Sequence, residues 1–306
     1  MVSKKESVEK ITSNSIIMPL LIIVLVIVSF FAGTLWIKVR ELKKSGETVK
    51  TAGSATTFKP DKKLKKPEIK FFVMSFCPYG NQAEAGLKPV AELLKDKVSW
   101  QPVYIVADKK KSCEDGCINS VYDEAKCQQL VDAKRVPDLA TCKQYFPYND
   151  EDTCLKEKCV DLKEGEFTSL HGDIEMKQDV RELCAWKLGD EQKWWNFVEK
   201  VNTNCNAQDA DSCWEQQAKD AKLDAEKIKK CEQEQAKDLL TEQLKLTEQY
   251  SVAGSPTIVI NETTYNGGRQ PEDYKKALCV SFEKEPRECS KVLSETTQAP
   301  AAGNCN

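Results

Sequence analysis

The sequence predicts an α/β fold that runs β-α-β, then a long helical insertion, then β-β-α, behind one N-terminal membrane helix. Three observations predict it. A charge-free apolar run covers residues 16–37, strand and helix patterns alternate over residues 69–106, and strand patterns return at residues 257–265.

The apolar run at residues 16–37 predicts a transmembrane anchor. At ~1.5 Å per residue it extends about 33 Å, enough to cross a hydrocarbon core of ~30 Å. Cleaved signal peptides have shorter apolar regions. We therefore expect an uncleaved signal anchor that holds the chain to the membrane, with residues 1–15 as a short cytosolic N-terminus.

Cysteine usage indicates the compartment of the remaining chain. The 306 residues include 14 cysteines and a single histidine, His171. Such a density is typical of compartments where disulfides persist, so the C-terminal body is expected to be extracytoplasmic: periplasmic, extracellular or lumenal. The alternative is a cytosolic chain with many reduced thiols.

Charge is distributed unevenly along the chain. Residues 1–66 carry 13 basic and 5 acidic residues, and the rest carries 32 basic and 43 acidic ones. An acidic body lacks the basic footprint that phosphate binding needs, which excludes nucleic acid as a partner. The sequence indicates no cofactor and no metal.

Composition divides the chain after the anchor. Residues 38–66 are rich in small and charged residues and predict a flexible linker. A folded domain is expected at residues 67–289, with a cysteine-rich helical insertion at about 108–250. Residues 290–306 predict a disordered tail.

Apolar periodicity predicts the elements of the folded domain. A parallel strand–helix–strand unit is expected at residues 69–76, 81–95 and 98–106. A hairpin with strands at 257–260 and 263–265 precedes a final helix at 271–282. Helices of the insertion are predicted at residues 120–133, 179–188, 193–202, 210–222 and 225–250.

Cys77 is the first candidate functional residue. It follows a buried strand and precedes a helix whose first turn begins with Pro78, and a helix N-terminus stabilises a thiolate. A nucleophilic thiol and an inert, packed cysteine are both compatible with this position.

Ser255-Pro256-Thr257 opens the third predicted strand, where proline is tolerated because no strand donor is needed. A cis Ser255–Pro256 bond would leave the Ser255 backbone free to pair with an extended peptide, whereas a trans proline would simply start the strand. Taken with the motif Cys77-Pro78-Tyr79-Gly80, this order resembles the thioredoxin fold, and the inserted helices resemble its DsbA-like branch.

That resemblance implies a thiol–disulfide oxidoreductase site. Cys77 would be the catalytic thiol, accessible in a cleft and facing a cis-proline loop at Ser255, Pro256 and Thr257. Gly80 departs from the Cys-x-x-Cys pattern, because the resolving thiol is missing. Release of a mixed disulfide would then need an external thiol or redox partner, which favours isomerase or monothiol reductase chemistry.

A second, partial resemblance lies further along. The segment from His171 to Cys184 is similar in spacing to the signature of gamma-interferon-inducible lysosomal thiol reductases. His171, Gly172, Glu175 and Cys184 match, while Ser169, Met176 and Asp179 depart. For His171 itself, helix capping or packing is favoured over catalysis.

The other cysteines fall into groups of even count. Six lie at residues 113–159 of the insertion and four in its later helices, at residues 184–231. Cys279 and Cys289 flank the last helix and are the obvious partners of one disulfide. Cys305 remains in the tail. The pairings in the two larger groups stay open. Two alternatives to structural disulfides remain. One is a zinc site formed by Cys113, Cys117, Cys154 and Cys159. The other is a pair of cysteines in the insertion that passes electrons to Cys77.

Three functions follow from these patterns. The leading one is a membrane-anchored, extracytoplasmic DsbA-like oxidoreductase that acts through Cys77 on cysteine-containing secreted or membrane proteins. The alternative is a non-catalytic binding or chaperone module that lost redox turnover with Gly80. A structural surface protein is the third.

Overall fold

Residues 58–294 are described in this computed structural model, and they begin with a β-α-β unit. Strand β1 spans Glu68–Val73, helix α1 spans Pro78–Leu94, and strand β2 spans Ser99–Tyr104. The two strands pair in parallel, with Ile69 opposite Trp100. The parallel pair predicted from the sequence is therefore confirmed.

A helical segment is inserted after β2, and a short two-stranded antiparallel ribbon connects both of its ends to the rest of the domain. Strand β3 (Ala107–Asp108) pairs antiparallel with β4 (Phe167–Thr168). Residues 109–166, which we call the cysteine-rich subdomain, lie between them. They form α2 (Lys109–Ser120), α3 (Glu124–Asp132), α4 (Leu139–Tyr145) and α5 (Glu151–Cys154), followed by a π-helical turn, Leu155–Cys159.

Four more helices, the two remaining strands of the sheet and a last helix follow along the chain. The helices are α6 (Asp173–Lys187), α7 (Glu191–Asn204), α8 (Ala210–Asp220) and α9 (Ala225–Gln249), and they are followed by β5 (Thr257–Ile260), β6 (Thr263–Tyr265) and α10 (Pro271–Val280). The sheet order is β2-β1-β5-β6, and β5 is antiparallel to both of its neighbours. This is a mixed α/β, thioredoxin-like arrangement.

Aromatic side chains connect the sheet to the helical layer. Phe71 of β1 stacks on Trp195 of α7 with ring centroids 5.4 Å apart, and Trp195 meets Trp194 edge-on at 4.8 Å. All three side chains are buried in the main core. Because large aromatic rings bury much apolar area, this cluster fixes α7 against the strand that leads to Cys77.

Some element boundaries differ from the sequence expectation. The helix predicted over residues 120–133 is instead the end of α2 and a separate α3, because Asp123 caps a new helix by accepting a hydrogen bond from the Lys126 N–H. The helix predicted from residue 179 starts six residues earlier, at Asp173. The strands predicted at residues 257–260 and 263–265 are confirmed.

The end of the predicted flexible linker packs against the domain. The Leu64 N–H donates to the Ser281 carbonyl, the Leu64 carbonyl accepts from Glu283, and Phe58 packs edge-on against Tyr265. Residues 290–294 of the predicted tail are also held, since the Leu293 N–H donates to Glu272. The folded part therefore extends beyond the predicted limits of 67 and 289 on both sides.

The predicted anchor at residues 16–37, most of the linker and the remainder of the tail, including Cys305, lie outside the described residues. Within residues 58–294, none of the helices combines the length and the apolar character needed to cross a bilayer.

Candidate functional site

Cys77 is the N-cap residue of α1. Its backbone is extended, with φ −76° and ψ 117°, and Pro78 occupies the first turn of the helix. The Cys77 N–H donates to the Met74 carbonyl at 3.1 Å, which closes the tight turn between β1 and α1. Within the described residues no side chain caps this helix N-terminus, and Cys77 stands at the positive end of the helix dipole.

The Cys77 thiol faces the loop that precedes β5. Its Sγ lies 3.7 Å from the Ser255 carbonyl oxygen, and the Ser255–Pro256 peptide bond is cis. The apposition expected from the sequence is therefore present in the structure. The expected accessibility is not, because Cys77 is only 3% exposed.

Gly80 stands where the family motif has its second thiol, and the space of the missing side chain is occupied. A Cβ built on Gly80 would lie 2.7 Å from the Ser255 Oγ and 3.3 Å from the Met74 carbonyl oxygen. The Ser255 hydroxyl itself is buried and has no hydrogen-bond partner in the described residues. Ser255 thus fills the position from which a resolving cysteine would act.

Two carboxylates of α6 hold the loop before Cys77. Asp179 accepts hydrogen bonds from both the N–H and the hydroxyl of Ser75, at 3.0 and 2.6 Å, and Glu175 accepts from the Phe76 N–H at 2.9 Å. Glu175 also contacts the Nδ1 atom of His171 at 2.7 Å. The lone histidine therefore orients a carboxylate rather than the thiol, which agrees with the packing role favoured from the sequence.

Two further carboxylates are buried below the same loop. Burial, reinforced by negative charge on Glu182, raises the pKa of Glu84 well above its ordinary value, and charge on Cys77 adds to the effect. Burial also raises the pKa of Glu182 to about 7. Likewise, burial followed by the charge of Glu175 raises the pKa of Asp179. Folding therefore favours the protonated form of all three carboxyl groups.

Sequence analysis did not identify these acidic residues as part of the site. Glu175 and Asp179 were noted only for their place in a spacing pattern, and Glu84 and Glu182 were not singled out. A usable signal was available for Glu175, Asp179 and Glu182. They recur at intervals of four and three residues, which places them on one face of α6.

The rim of the site carries exposed apolar and cationic groups. Tyr79 is 55% exposed, and the Arg269 guanidinium carbon lies 5.3 Å from the centroid of its ring. Leu170 is also exposed and sits between two residues that contact Glu175. Ala253 and Gly254 are exposed in the loop before Ser255, and Thr257 ties this loop by donating to the Gly254 carbonyl.

Twelve cysteines of the described chain form six disulfides, in the groups expected from the sequence. The pairs are Cys113–Cys159, Cys117–Cys154, Cys127–Cys142, Cys184–Cys231, Cys205–Cys213 and Cys279–Cys289. Among the described residues Cys77 is the free cysteine. The four sulfurs weighed as zinc ligands are thus bonded to one another, and disulfide sulfur is not the thiolate that zinc needs.

The family described as the vacuolar sorting receptor thioredoxin-like domain matches residues 76–279, more than half of the chain. The chain belongs to this family. The match covers Cys77, the cysteine-rich subdomain and the Ser255–Pro256 loop. It favours a receptor family over the thiol reductases suggested by the spacing around His171.

The most similar relatives of this vacuolar sorting receptor thioredoxin-like domain include three plant proteins. Vacuolar-sorting receptor 5 of Arabidopsis thaliana is 27% identical over 156 residues, covering 45% of this chain and 25% of the relative. Vacuolar-sorting receptor 7 of the same plant is 30% identical over 139 residues, covering 40% and 22%. Vacuolar-sorting receptor 1 of Pisum sativum is 26% identical over 158 residues, covering 46% and 25%. The matches span about a quarter of each relative.

Solved structures similar to this chain include bacterial disulfide oxidoreductases. Reduced DsbA of Mycobacterium tuberculosis is 12% identical with a TM-score of 0.43, covering 78% of this chain and 93% of that chain. DsbA of Pseudomonas aeruginosa is 16% identical with a TM-score of 0.39, covering 72% and 85%.

Proposed function

We propose that this domain is a protein-binding module of a membrane-anchored, extracytoplasmic receptor, and that it binds an extended segment of its partner without redox turnover. The observation that carries the proposal is the state of the Cys77 site. The thiol is buried, and Ser255 fills the space beside Gly80 from which a resolving cysteine would act. A reaction that needs two thiols has neither the second sulfur nor room for it.

The backbone around Ser255 supports peptide binding. In the described part of the chain the Ser255 N–H donates to no other residue, while the loop at Ala253 and Gly254 is exposed. An extended peptide can pair with such a free backbone group, and its side chains then settle in neighbouring pockets. The adjacent rim offers Tyr79 and Arg269, residue types that are enriched at binding hot spots.

The similar proteins also support the proposed binding role. Their names describe vacuolar-sorting receptors, so we infer that the partner is a protein, and secreted or membrane proteins are the class we expect. Six disulfides in the described residues are compatible with an oxidising, extracytoplasmic compartment. The proposed anchor at residues 16–37 would hold the domain at the membrane.

Binding can be measured with a permanently unfolded probe, reduced and carboxymethylated α-lactalbumin, and the full chain. Tyr79→Ala removes an exposed ring at the rim, and we expect affinity to fall by about fivefold to tenfold in fluorescence anisotropy. Tyr145→Ala is the matched control, since Tyr145 is 68% exposed but belongs to the cysteine-rich subdomain. Equal effects of the two variants would overturn the assignment of the groove.

A second candidate keeps the redox chemistry predicted from the motif. It is favoured by one observation, the placement of Cys77 at the N-terminus of α1 with its sulfur directed at the Ser255 carbonyl. In this function Cys77 would attack a partner disulfide, and an external thiol would release the product.

Turnover of scrambled ribonuclease in a glutathione buffer separates the two functions. If the domain only binds, the wild type and Cys77→Ser reactivate the substrate at equal rates. A faster wild type, together with a mixed disulfide trapped on Cys77, would reject the binding-only proposal and establish the single-thiol enzyme.

A further inference from the structure

The cysteine-rich subdomain places two disulfides against each other, away from the Cys77 site in the sequence. Cys113–Cys159 and Cys117–Cys154 both join α2 to the chain around α5. They belong to a small buried cluster that is separate from the main core. The Sγ atoms of Cys113, Cys117 and Cys159 all lie within 4.8 Å of one another.

A close contact connects the two disulfides. The Sγ atoms of Cys117 and Cys159 belong to different disulfides and are 3.7 Å apart. Thiol–disulfide exchange proceeds by attack of a thiolate on a disulfide sulfur. A thiolate at Cys159 would therefore already be in contact with a sulfur that it can attack.

Exposure determines where a reaction from solution would begin. Cys113 is half-buried, whereas Cys117, Cys154 and Cys159 are buried. Because access is one of the factors that control exchange, an external thiol reaches the Cys113 sulfur first.

We propose that these four cysteines form a disulfide-exchange relay that reacts with a thiol from solution. An external thiolate attacks the Cys113 sulfur, forms a mixed disulfide there and releases Cys159 as a thiolate. Cys159 then attacks the Cys117 sulfur, so that a Cys117–Cys159 bond forms and Cys154 leaves as a thiolate.

A second external thiol completes the balance. It attacks the external sulfur of the mixed disulfide, which releases the Cys113 thiolate and yields the oxidised external disulfide. In total two external thiols lose two electrons and two protons, and the domain gains them as free thiols at Cys113 and Cys154. The Ser120 hydroxyl lies 3.6 Å from the Cys154 sulfur, so the leaving thiolate has a hydroxyl neighbour.

The relay predicts an unusual pattern after partial reduction. The full chain is treated with stepwise increasing reduced glutathione, quenched with N-ethylmaleimide, digested without further reduction and mapped by mass spectrometry. We expect labels on Cys113 and Cys154 and a new Cys117–Cys159 cross-linked peptide. Labels on Cys113 and Cys159 together, without that cross-link, would overturn the proposal.

Two double variants test whether the exchange depends on the four cysteines of the relay. In Cys117→Ala/Cys154→Ala the thiolate of Cys159 has no second protein disulfide to attack, so it should become labelled as fully as Cys113. Removal of Cys127–Cys142, a separate disulfide of the same subdomain, should leave the wild-type pattern unchanged. Loss of the cross-link in this control would contradict a relay confined to the four cysteines.

The source of the thiol is tested in a parallel arm, with reduced thioredoxin in place of glutathione. The Cys117–Cys159 cross-link in either arm supports the relay, and the arm in which it forms identifies a small or a protein thiol as the reactant. Its absence from both arms refutes the relay.

Discussion

At the scale of single residues, Gly80 determines what the Cys77 site can do. Its missing side chain leaves room for the Ser255 hydroxyl, which sits 2.7 Å from where a Cβ would be. The loss of the second thiol is thus accompanied by a neighbour that occupies its place. A cysteine restored at this position would have to displace Ser255.

Because of this close approach, we expect alanine substitutions at the two helical glycines Gly80 and Gly116 to change stability in opposite directions. Gly80→Ala should lower the free energy of unfolding by about 1–2 kcal/mol through overpacking. Gly116→Ala, whose Cβ would meet nothing within 4 Å, should raise it by about 0.5–1 kcal/mol through helix propensity. Chemical denaturation measures both.

Ser255→Ala supplies the control for this prediction. It removes an unpartnered buried hydroxyl, so alone it should be neutral or slightly stabilising. Combined with Gly80→Ala it should recover part of the lost stability. Additive effects of the two substitutions would contradict the contact.

The residues of the site differed in how far the sequence could predict them. Cys77 and the Ser255–Pro256 loop were found because each carries a local motif. The carboxylates that support the loop were not, because Ser75 and Asp179 are 104 positions apart. One sequence does not tell which distant polar groups share a buried site.

At the scale of elements, Asn261 joins three parts of the chain at the β5–β6 turn. Its side chain accepts from the Glu68 N–H at 2.9 Å and donates to the Lys62 and Ser281 carbonyls at 3.1 and 3.0 Å. The residue is 1% exposed, and its φ of 48° is a left-handed value that asparagine tolerates well. The residue therefore serves structure.

Asn261→Ala should consequently destabilise the domain by about 2–4 kcal/mol, because one buried and two part-buried hydrogen bonds are lost and the left-handed backbone is disfavoured for alanine. Thr264→Ala, on the exposed face of the same hairpin, is the matched control and should change stability by less than about 0.5 kcal/mol. Thermal unfolding followed by circular dichroism distinguishes them. Similar melting temperatures for both variants would count against the role of Asn261.

The elements that sequence periodicity predicted well are those that face the main core. Both strands of the hairpin were predicted at their observed limits, since apolar residues and turn residues coincide there. Helix α2 was missed, because it presents no apolar stripe to a core. Its signals are the Asp108 cap, which accepts from the Lys111 N–H, and cysteines four residues apart at 113 and 117.

At the scale of the whole molecule, the buried carboxyl groups make stability depend on pH. The folded-state pKa of Glu182 is about 7, above its ordinary value of 4.5. Folding therefore favours the protonated form. This stabilisation is fully present below the pKa that Glu182 has in the unfolded chain. It is lost as the pH rises through the pKa of Glu182 in the folded protein. The raised pKa values of Glu84 and Asp179 act in the same direction.

We expect the free energy of unfolding to be higher at about pH 5 than at about pH 8, with Glu182 contributing on the order of 2–3 kcal/mol. Denaturant titrations across this range measure the difference. Glu182→Gln should reduce the slope, and the exposed Glu242→Gln should preserve it. A free energy of unfolding that rises from pH 5 to pH 8 would mean that the folded state favours the ionised carboxylates, which contradicts the raised pKa values.

The ribbon of β3 and β4 has a consequence for how such domains can diversify. The Lys109 N–H donates to the Glu166 carbonyl at 2.8 Å, so the inserted segment departs and returns at neighbouring positions. A deletion of residues 109–166, or their replacement by a segment of another length, would need to preserve only the pairing of β3 with β4. The length and sequence of this segment can therefore change without changing where the chain leaves and re-enters the rest of the fold.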